Sequence, residues 1–238
     1  MKLKPFLIVA LACCFNQYLA AQEYYQDPAQ VFNKVQIDKH NSNGGYIRID
    51  NYKVTGTPYF MGERHPAILF IKGEGSFNTR LSYNVYKQEL EFYTKTNPNT
   101  PLIKEWELVD SFILHPSDNS TFVTDIKFLG GTVLGSNEKV FFREMYLGTK
   151  YSLYKRYRVE LAFVSGAYVK SDLREFDLIG EYYYMDESSK KLIKLKNNFG
   201  AVKKEFKNIK DISTATSADE YKKNSDACLR KAFALLNS

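Results

Sequence analysis

Strict alternation of apolar and polar residues is the feature that most restricts how this 238-residue chain can fold. Successive side chains of a β-strand point to opposite faces, so a period of two assigns every second residue to a core. In the clearest stretch, from Arg80 to Lys95, one face carries Leu81, Tyr83, Val85, Leu90 and Phe92. The other face carries Ser82, Asn84, Tyr86, Glu89, Glu91 and Tyr93, and we expect it to lie in water. The stretch predicts a pair of strands separated near Lys87.

Short runs rich in Tyr, Phe, Val and Thr recur along the rest of the chain, which has 18 Tyr and 17 Phe in total. These residues favour strands, and the Gly, Asn, Asp and Pro residues between the runs favour turns. The runs predict further strands at Ala67–Lys72, Glu105–Leu114, Thr121–Phe128, Lys139–Tyr146, Lys150–Tyr157, Val159–Val164, Phe176–Tyr184 and Lys191–Leu195. Many short strands with such punctuation are typical of antiparallel β structure.

The end of the chain changes to a helical pattern. Ser217-Ala218-Asp219-Glu220 has the spacing of a capping box, in which the Ser and Glu side chains bond to each other's backbone N–H groups. Beyond it, Tyr221, Cys228, Ala232 and Leu235 form one apolar stripe. We therefore predict a mainly β (α+β) fold: an antiparallel β-sandwich or a strongly curved sheet, with one or two C-terminal amphipathic helices. The predicted domain is 22–238, in which 198–238 is a helical segment packed on the sheet.

The first 21 residues have the organisation of a signal peptide. Lys2 and Lys4 precede an apolar run over residues 5–15, and small residues follow near Ala21, where we expect cleavage. That run is about half as long as a helix that crosses a bilayer, and no later stretch reaches 18 apolar residues. We therefore expect export and no transmembrane helix. A second possibility is a lipid anchor at Cys13 or Cys14, which would tether the protein to a membrane.

Removal of residues 1–21 would leave Cys228 as the single cysteine, so an internal disulfide and a Cys-based zinc site are excluded in the mature chain. On the apolar side of a helix, we expect Cys228 to be a buried small hydrophobe. Charge is uneven: residues 188–238 carry twelve Lys and Arg against five Asp and Glu, whereas residues 22–187 carry nineteen against twenty-two. The basic segment is expected to be a solvated helical face, with contact to an envelope polyanion as the alternative. No motif indicates nucleic acid as a partner.

Catalytic and metal-binding patterns are weak. His40, His65 and His115 are far apart, and we expect them to lie in exposed loops. Glu89 and Glu91 share a strand face at a separation of roughly 6–7 Å, which suits a glycosidase pair, but neighbouring acids on an exposed face are common. We therefore predict no enzyme, no cofactor and no metal site.

Aromatic side chains outside the expected core are the better candidates for binding. Tyr86 and Tyr93 fall on the nominally polar face, and the run Tyr182-Tyr183-Tyr184 must place at least one ring opposite the others. Exposed rings can stack on sugars, contact a partner or line a groove. We take Tyr86, Tyr93 and Tyr183 as a possible binding surface; the alternative is that helices or a second sheet bury them.

Five stretches of the chain resemble a recurring pattern in uncharacterised exported proteins of the Bacteroidota. They are Gly56-Thr57-Pro58-Tyr59, the run from Tyr83 to Phe92, the aromatic hairpin from Phe141 to Lys155, the strand with Tyr182-Tyr183-Tyr184, and the Lys-rich helical tail that ends in Leu235-Leu236-Asn237. The resemblance implies a periplasmic or envelope location. It implies no activity and no site residues.

These features together favour a non-enzymatic exported envelope protein that acts as a binding or assembly module, in the periplasm or at the periplasmic face of the outer membrane. Its expected partner is another envelope protein or envelope component. The alternative is a periplasmic carrier of a lipid or other apolar ligand, in which a curved sheet and a helix enclose a cavity.

Overall fold

The computed structural model describes residues 34–40, 46–94, 100–118, 120–163 and 173–238, with side chains from residue 56 onward except at 163 and 173. The chain divides into two compact units, Met1–Gly56 with Leu161–Phe176 and Thr57–Glu160 with Asp177–Ser238. The sequence predicts one domain over 22–238 and gives no sign of this division. The predicted signal peptide, with Cys13 and Cys14, lies outside the described residues.

The first unit contains a β-hairpin and a short parallel pairing. Strands β1 (Lys34–His40) and β2 (Tyr46–Thr55) pair antiparallel, with an irregularity between Val35 and Ile37. The end of β2 pairs in parallel with the first residues of a long later strand, where Leu173 lies opposite Lys53.

The second unit is built on a ten-stranded antiparallel sheet that does not close. Its strands are β3 (His65–Ile71), β4 (Gly75–Asn84), β5 (Glu89–Tyr93), β6 (Leu102–Ile103), β7 (Val109–Leu114), β8 (Ile126–Gly130), β9 (Phe141–Tyr146), β10 (Tyr151–Phe163), β11 (Leu173–Asp186) and β12 (Lys191–Lys194). Across the sheet the order is β12-β11-β10-β9-β8-β7-β3-β4-β5-β6. Strands β10 and β11 run through both units. The predicted mainly β fold class is confirmed.

Aromatic contacts show that this sheet is strongly curved. Strands β4 and β9 are four places apart in the sheet, which would separate them by roughly 19 Å if it were flat. The ring of Tyr83 on β4 nevertheless lies 5.6 Å from the ring of Phe141 on β9. Phe60, which precedes β3, lies 4.7 Å from Tyr157 on β10. Buried aromatic and aliphatic side chains therefore fill the concave side of the sheet.

Three helices cover the same side of the sheet at its β9–β11 end: α1 (Phe199–Phe206), α2 (Ala218–Lys223) and α3 (Ser225–Asn237). Phe206 and Phe233 pack with Tyr182, Tyr184 and other buried residues of the strands. Cys228 is buried in this cluster, as predicted. No helix in the described part of the chain is long and apolar enough to cross a membrane.

The capping box at Ser217 is confirmed, since its side chain accepts from the Glu220 backbone and the Glu220 side chain bonds back. The helix that it begins is shorter than expected. Asn224 leaves the helical conformation (φ −153°, ψ 84°), and its side chain accepts a hydrogen bond from the Ala227 N–H at 3.0 Å. Asn224 therefore ends α2 and starts α3, because a short polar side chain can satisfy a new helix N-terminus.

Several expectations about the strands, their faces and the histidines are wrong. The predicted strand Glu105–Leu114 begins only at Val109, because Trp106–Leu108 is a 3-10 helix, and the predicted strand Thr121–Phe128 begins only at Ile126. The predicted strands Lys150–Tyr157 and Val159–Val164 form one strand, β10, because Arg158 continues the extended backbone. The outer face of β4 and β5 is covered, because the segment after Gly56 folds over it: Ser82, Asn84 and Glu91 are buried. His65 is a buried residue at the start of β3, against Phe122, and His40 is the last residue of β1, so neither lies in a loop.

Candidate functional site

The three tyrosines predicted as a binding surface lie in different surroundings. Tyr86 is half-buried in the turn between β4 and β5, and burial raises its pKa. Tyr93 is half-buried on β5, where the Arg64 guanidinium lies 4.3 Å above its ring. Tyr183 lies on β11, seven places from β5 in the sheet. The sheet order therefore separates Tyr183 from the other two, and Tyr183 lines a cleft.

Tyr183 owes its position to the alternation of β11. The helices bury its neighbours Tyr182 and Tyr184 on one face of the sheet. Tyr183 points to the opposite face, where its ring meets that of Phe142 edge-on at 5.2 Å. Its hydroxyl donates a hydrogen bond to Glu181 at 3.3 Å.

The cleft beside Tyr183 has a volume of about 380 Å³ and lies between two loops on the outer face of the sheet. One loop follows β8 and contains a 3-10 helix, Gly131–Leu134; the other is the turn between β11 and β12. Its apolar walls are Leu134, Phe142 and Leu192, its cations are Arg156, Lys190 and Lys191, and its other polar side chains are Ser136, Glu138 and Tyr183. We call it the cationic cleft.

Arg156 is the central cation of the cationic cleft. It lies on β10 opposite Phe142 on β9, and its Nη1 donates to the Glu138 carboxylate at 2.7 Å. Burial opposes its charge, but the nearby Tyr183, Glu138 and Glu181 raise the pKa of the guanidinium. Its Nε is shielded from solvent and has no hydrogen-bond partner among the described residues. A shielded donor without a partner costs about 1–3 kcal/mol, so the fold alone leaves this guanidinium incompletely satisfied.

Lys190 and Lys191 form the rim of the cationic cleft. Lys190 has a left-handed backbone (φ 54°), which costs a residue other than glycine roughly 1–2 kcal/mol. Its Nζ donates to Glu187 at 2.6 Å, whereas Lys191 is exposed and forms no ion pair within the described ranges. The turn thus carries a lysine at a position where glycine would relieve backbone strain.

Glu181, the acid next to the cationic cleft, has cationic partners of its own. The Glu181 carboxylate lies 2.8 Å from Lys194 Nζ and 3.4 Å from Arg158 Nε. Burial raises the pKa of Glu181, but these cations outweigh that effect and lower it below its usual value. Among the cations of the cleft, Arg156 is paired with Glu138 and Lys190 with Glu187, while Lys191 forms no ion pair within the described ranges. The cleft is therefore a concave region of positive charge with an apolar wall.

Glu89 and Glu91, which the sequence places on one face, have different partners in the structure. Glu89 forms a salt bridge of 2.9 Å with Lys139. The buried Glu91 accepts hydrogen bonds from Tyr59 Oη at 2.9 Å and Asn84 Nδ2 at 3.1 Å. The Tyr59 contact fastens the segment before β3 to the sheet, and the Lys139 contact joins β5 to the segment before β9, so both carboxylates have structural partners.

The sequence did not identify Arg156, Lys190 or Lys191 as site residues. Lys190 and Lys191 belong to the basic segment from residue 188, and that charge asymmetry was the available signal. Arg156 lies in the run Lys155-Arg156-Tyr157-Arg158, which does not distinguish it from its basic neighbours.

Comparisons of the chain with protein-family models, with curated proteins and with solved structures give no match. The resemblance to exported proteins of the Bacteroidota therefore stays a prediction.

Proposed function

We propose that this chain is an exported, non-enzymatic binding module of the cell envelope that holds an anionic group of its ligand in the cationic cleft. The observation that carries the proposal is the Arg156 guanidinium, which has a shielded Nε without a partner among the described residues and lies beside two further cations. Guanidinium groups bind carboxylates and phosphates through two parallel hydrogen bonds.

The composition of the cationic cleft supports a ligand that combines an anion with an apolar body. Ligand sites are typically concave regions of about 300–1,000 Å³ that combine apolar walls with polar groups that fix orientation. Leu134, Phe142 and Leu192 supply the apolar walls, while Arg156 and the two lysines supply the charge. A carrier of an entirely apolar ligand finds less support, because aromatic side chains fill the concave side of the sheet.

The location in the envelope rests on the predicted signal peptide. We expect the mature protein to begin at Gln22, and the partner to be an envelope protein or envelope component that presents the anionic group. Mass spectrometry of the protein recovered from the native cell envelope tests this point. An intact residue 1 would contradict export by cleavage, and a lipid-modified cysteine would indicate the anchored alternative.

Binding is tested with two small probes, benzoate and phenyl phosphate, which join an anion to an aromatic ring. We expect wild-type protein to bind at least one of them, with chemical-shift changes at Arg156 and Tyr183. Arg156→Gln should weaken binding by about tenfold or more, because a charged hydrogen bond contributes roughly 1.5–3 kcal/mol. Arg230→Gln is the matched control, since Arg230 is exposed on α3 and the charge change is the same.

Lys190→Gly separates binding from folding. Glycine adopts φ 54° without strain, so this variant should be at least as stable as wild type while it binds the probes more weakly. Arg156→Gln and Arg230→Gln proteins with equal affinity, or a wild-type protein that binds neither probe at millimolar concentration, would overturn the proposed function.

A further inference from the structure

Glu138 is the acid of the cationic cleft, and its attachment differs from that of Arg156. Arg156 is fixed on β10 and only 23% of its side chain is exposed, whereas the Glu138 side chain is 65% exposed. Glu138 lies between the 3-10 helix and β9, in a segment that turns at the left-handed Gly135 (φ 76°). Its N–H donates to Ser136 Oγ at 3.2 Å. The cation is therefore rigidly placed, and the carboxylate is carried by a surface turn.

We propose that Glu138 is a built-in competitor: in the free protein its carboxylate occupies part of the place on Arg156 that the ligand's carboxylate or phosphate takes. This inference rests on the proposed function of the cationic cleft. It adds the chemistry of the recognised group and a means by which the chain itself limits affinity.

The geometry of the pair supports replacement. One oxygen of Glu138 accepts from Nη1 at 2.7 Å, while Nε has no partner within the described residues. The pair thus uses one donor of a group that can bind an oxyanion with two. A ligand oxyanion that accepted two donors from Arg156, with Lys190 and Lys191 beside it, would be bound more completely than Glu138 is.

Release of Glu138 costs little. Ion pairs of exposed groups contribute about 0.2–1 kcal/mol, and on the Glu138 side this pair is such a case, because its carboxylate is well solvated when the pair opens. The Glu138 carboxylate has no other hydrogen-bond partner among the described residues and can return to water. The Arg156 charge is held partly away from solvent, so Arg156 requires an anionic partner more than Glu138 requires a cationic one. When a ligand oxyanion takes the place of the Glu138 carboxylate, the charge of Arg156 is still compensated.

Glu138→Gln tests the competitor directly. We expect it to bind benzoate or phenyl phosphate about three- to fivefold more tightly than wild type, the factor that corresponds to the loss of one exposed ion pair. Glu74→Gln is the control, because it removes the same charge from the surface pair with Lys104, where Glu74 is 51% exposed. Comparison of the two probes shows whether the recognised group is a carboxylate or a phosphate.

A double-variant comparison separates competition from a general charge effect. In an Arg156→Gln background, Glu138→Gln should no longer tighten binding, because the guanidinium for which the ligand anion and the Glu138 carboxylate compete is absent. An equal gain in both backgrounds, or a gain no larger than that of Glu74→Gln, would overturn the competitor while leaving the proposed function intact. If neither wild type nor Glu138→Gln binds either probe, both the proposed function and the competitor role of Glu138 are refuted.

Discussion

Lys155 and Asp226 join the sheet to the last helix, with Lys155 Nζ 2.8 Å from Asp226 Oδ1. The same carboxylate oxygen accepts a hydrogen bond from the Tyr182 hydroxyl. Both side chains are mostly buried, with exposed fractions of 15% for Lys155 and 27% for Asp226. Gly180 on β11 makes room for this arrangement, because a Cβ there would overlap Lys155 Cε. The contact therefore depends on residues of β10, β11 and α3.

Asp226→Asn should destabilise the protein by about 2 kcal/mol, because it leaves the partly buried Lys155 without a compensating charge. Urea unfolding followed by circular dichroism measures the change. Glu74→Gln again provides the control, since its salt bridge with Lys104 is at the surface and should contribute less than about 1 kcal/mol. Equal losses in the two variants would show that the contact does not stabilise α3 on the sheet.

The same aspartate should make stability depend on pH. Burial raises the pKa of Asp226, but its bonds from Lys155 and Tyr182 outweigh this and lower the pKa below its value in an unfolded chain, about 3.9. A lowered pKa in the folded state gives stability that is complete above the unfolded pKa and is lost as pH falls through the folded one. The urea concentration at the unfolding midpoint of wild type should therefore decrease as the pH is lowered from about 5 to about 2.5. Asp226→Asn should show a shallower fall over this range; an identical slope would refute the assignment.

Asn237 fixes the end of α3 to the hairpin between β9 and β10. Its Oδ1 accepts from the backbone N–H groups of Lys150 at 2.8 Å and Tyr151 at 3.1 Å. Its Nδ2 donates to the carbonyls of Tyr151 at 2.9 Å and Phe233 at 2.7 Å. All four hydrogen-bonding positions of the amide are thus used, and both its donors and its acceptor are needed.

Asn237→Asp should cost about 2–3 kcal/mol at neutral pH, because a carboxylate cannot donate and would face two carbonyl oxygens. Asn197→Asp is a closely matched control: the Asn197 side chain accepts from Tyr221 Oη at 3.0 Å, and a carboxylate keeps that bond. Chemical unfolding of both variants decides the matter. A loss for Asn237→Asp as small as that for Asn197→Asp would contradict the proposed role of its two donors.

Local rules of the sequence predicted several elements correctly. The spacing of Ser217 and Glu220 identified the start of a helix, because a capping box depends only on residues within one turn. The alternation from Leu81 to Phe92 identified β4 and β5 for a similar reason. Because side chains alternate between the two faces of a strand, the sequence also indicated that one of the three consecutive tyrosines points away from the other two, as Tyr183 does.

Features that depend on more distant parts of the chain were not predicted. The sequence predicts that Ser82 and Glu91 face solvent, because nothing in their own strands shows that the segment around Tyr59 covers them. The choice between a sandwich and a curved sheet stayed open because alternation has the same period in both. Arg64 lies over Tyr93 through a contact between segments almost thirty residues apart.

The alternation at Arg80–Lys95, with the similar runs along the chain, predicted a mainly β protein without any tertiary information, because the period of side-chain direction is a property of each strand alone. Tertiary structure decided where the sheet bends, which tyrosine stays near the surface, and which of several similar basic residues shares a cleft. Arg156 is distinct from Lys155 and Arg158 because β10 lies beside β9, where the Arg156 side chain pairs with Glu138 and lines one cleft with Lys190 and Lys191. That selection required the complete sheet, since the groups that surround Arg156 come from three separate parts of the chain.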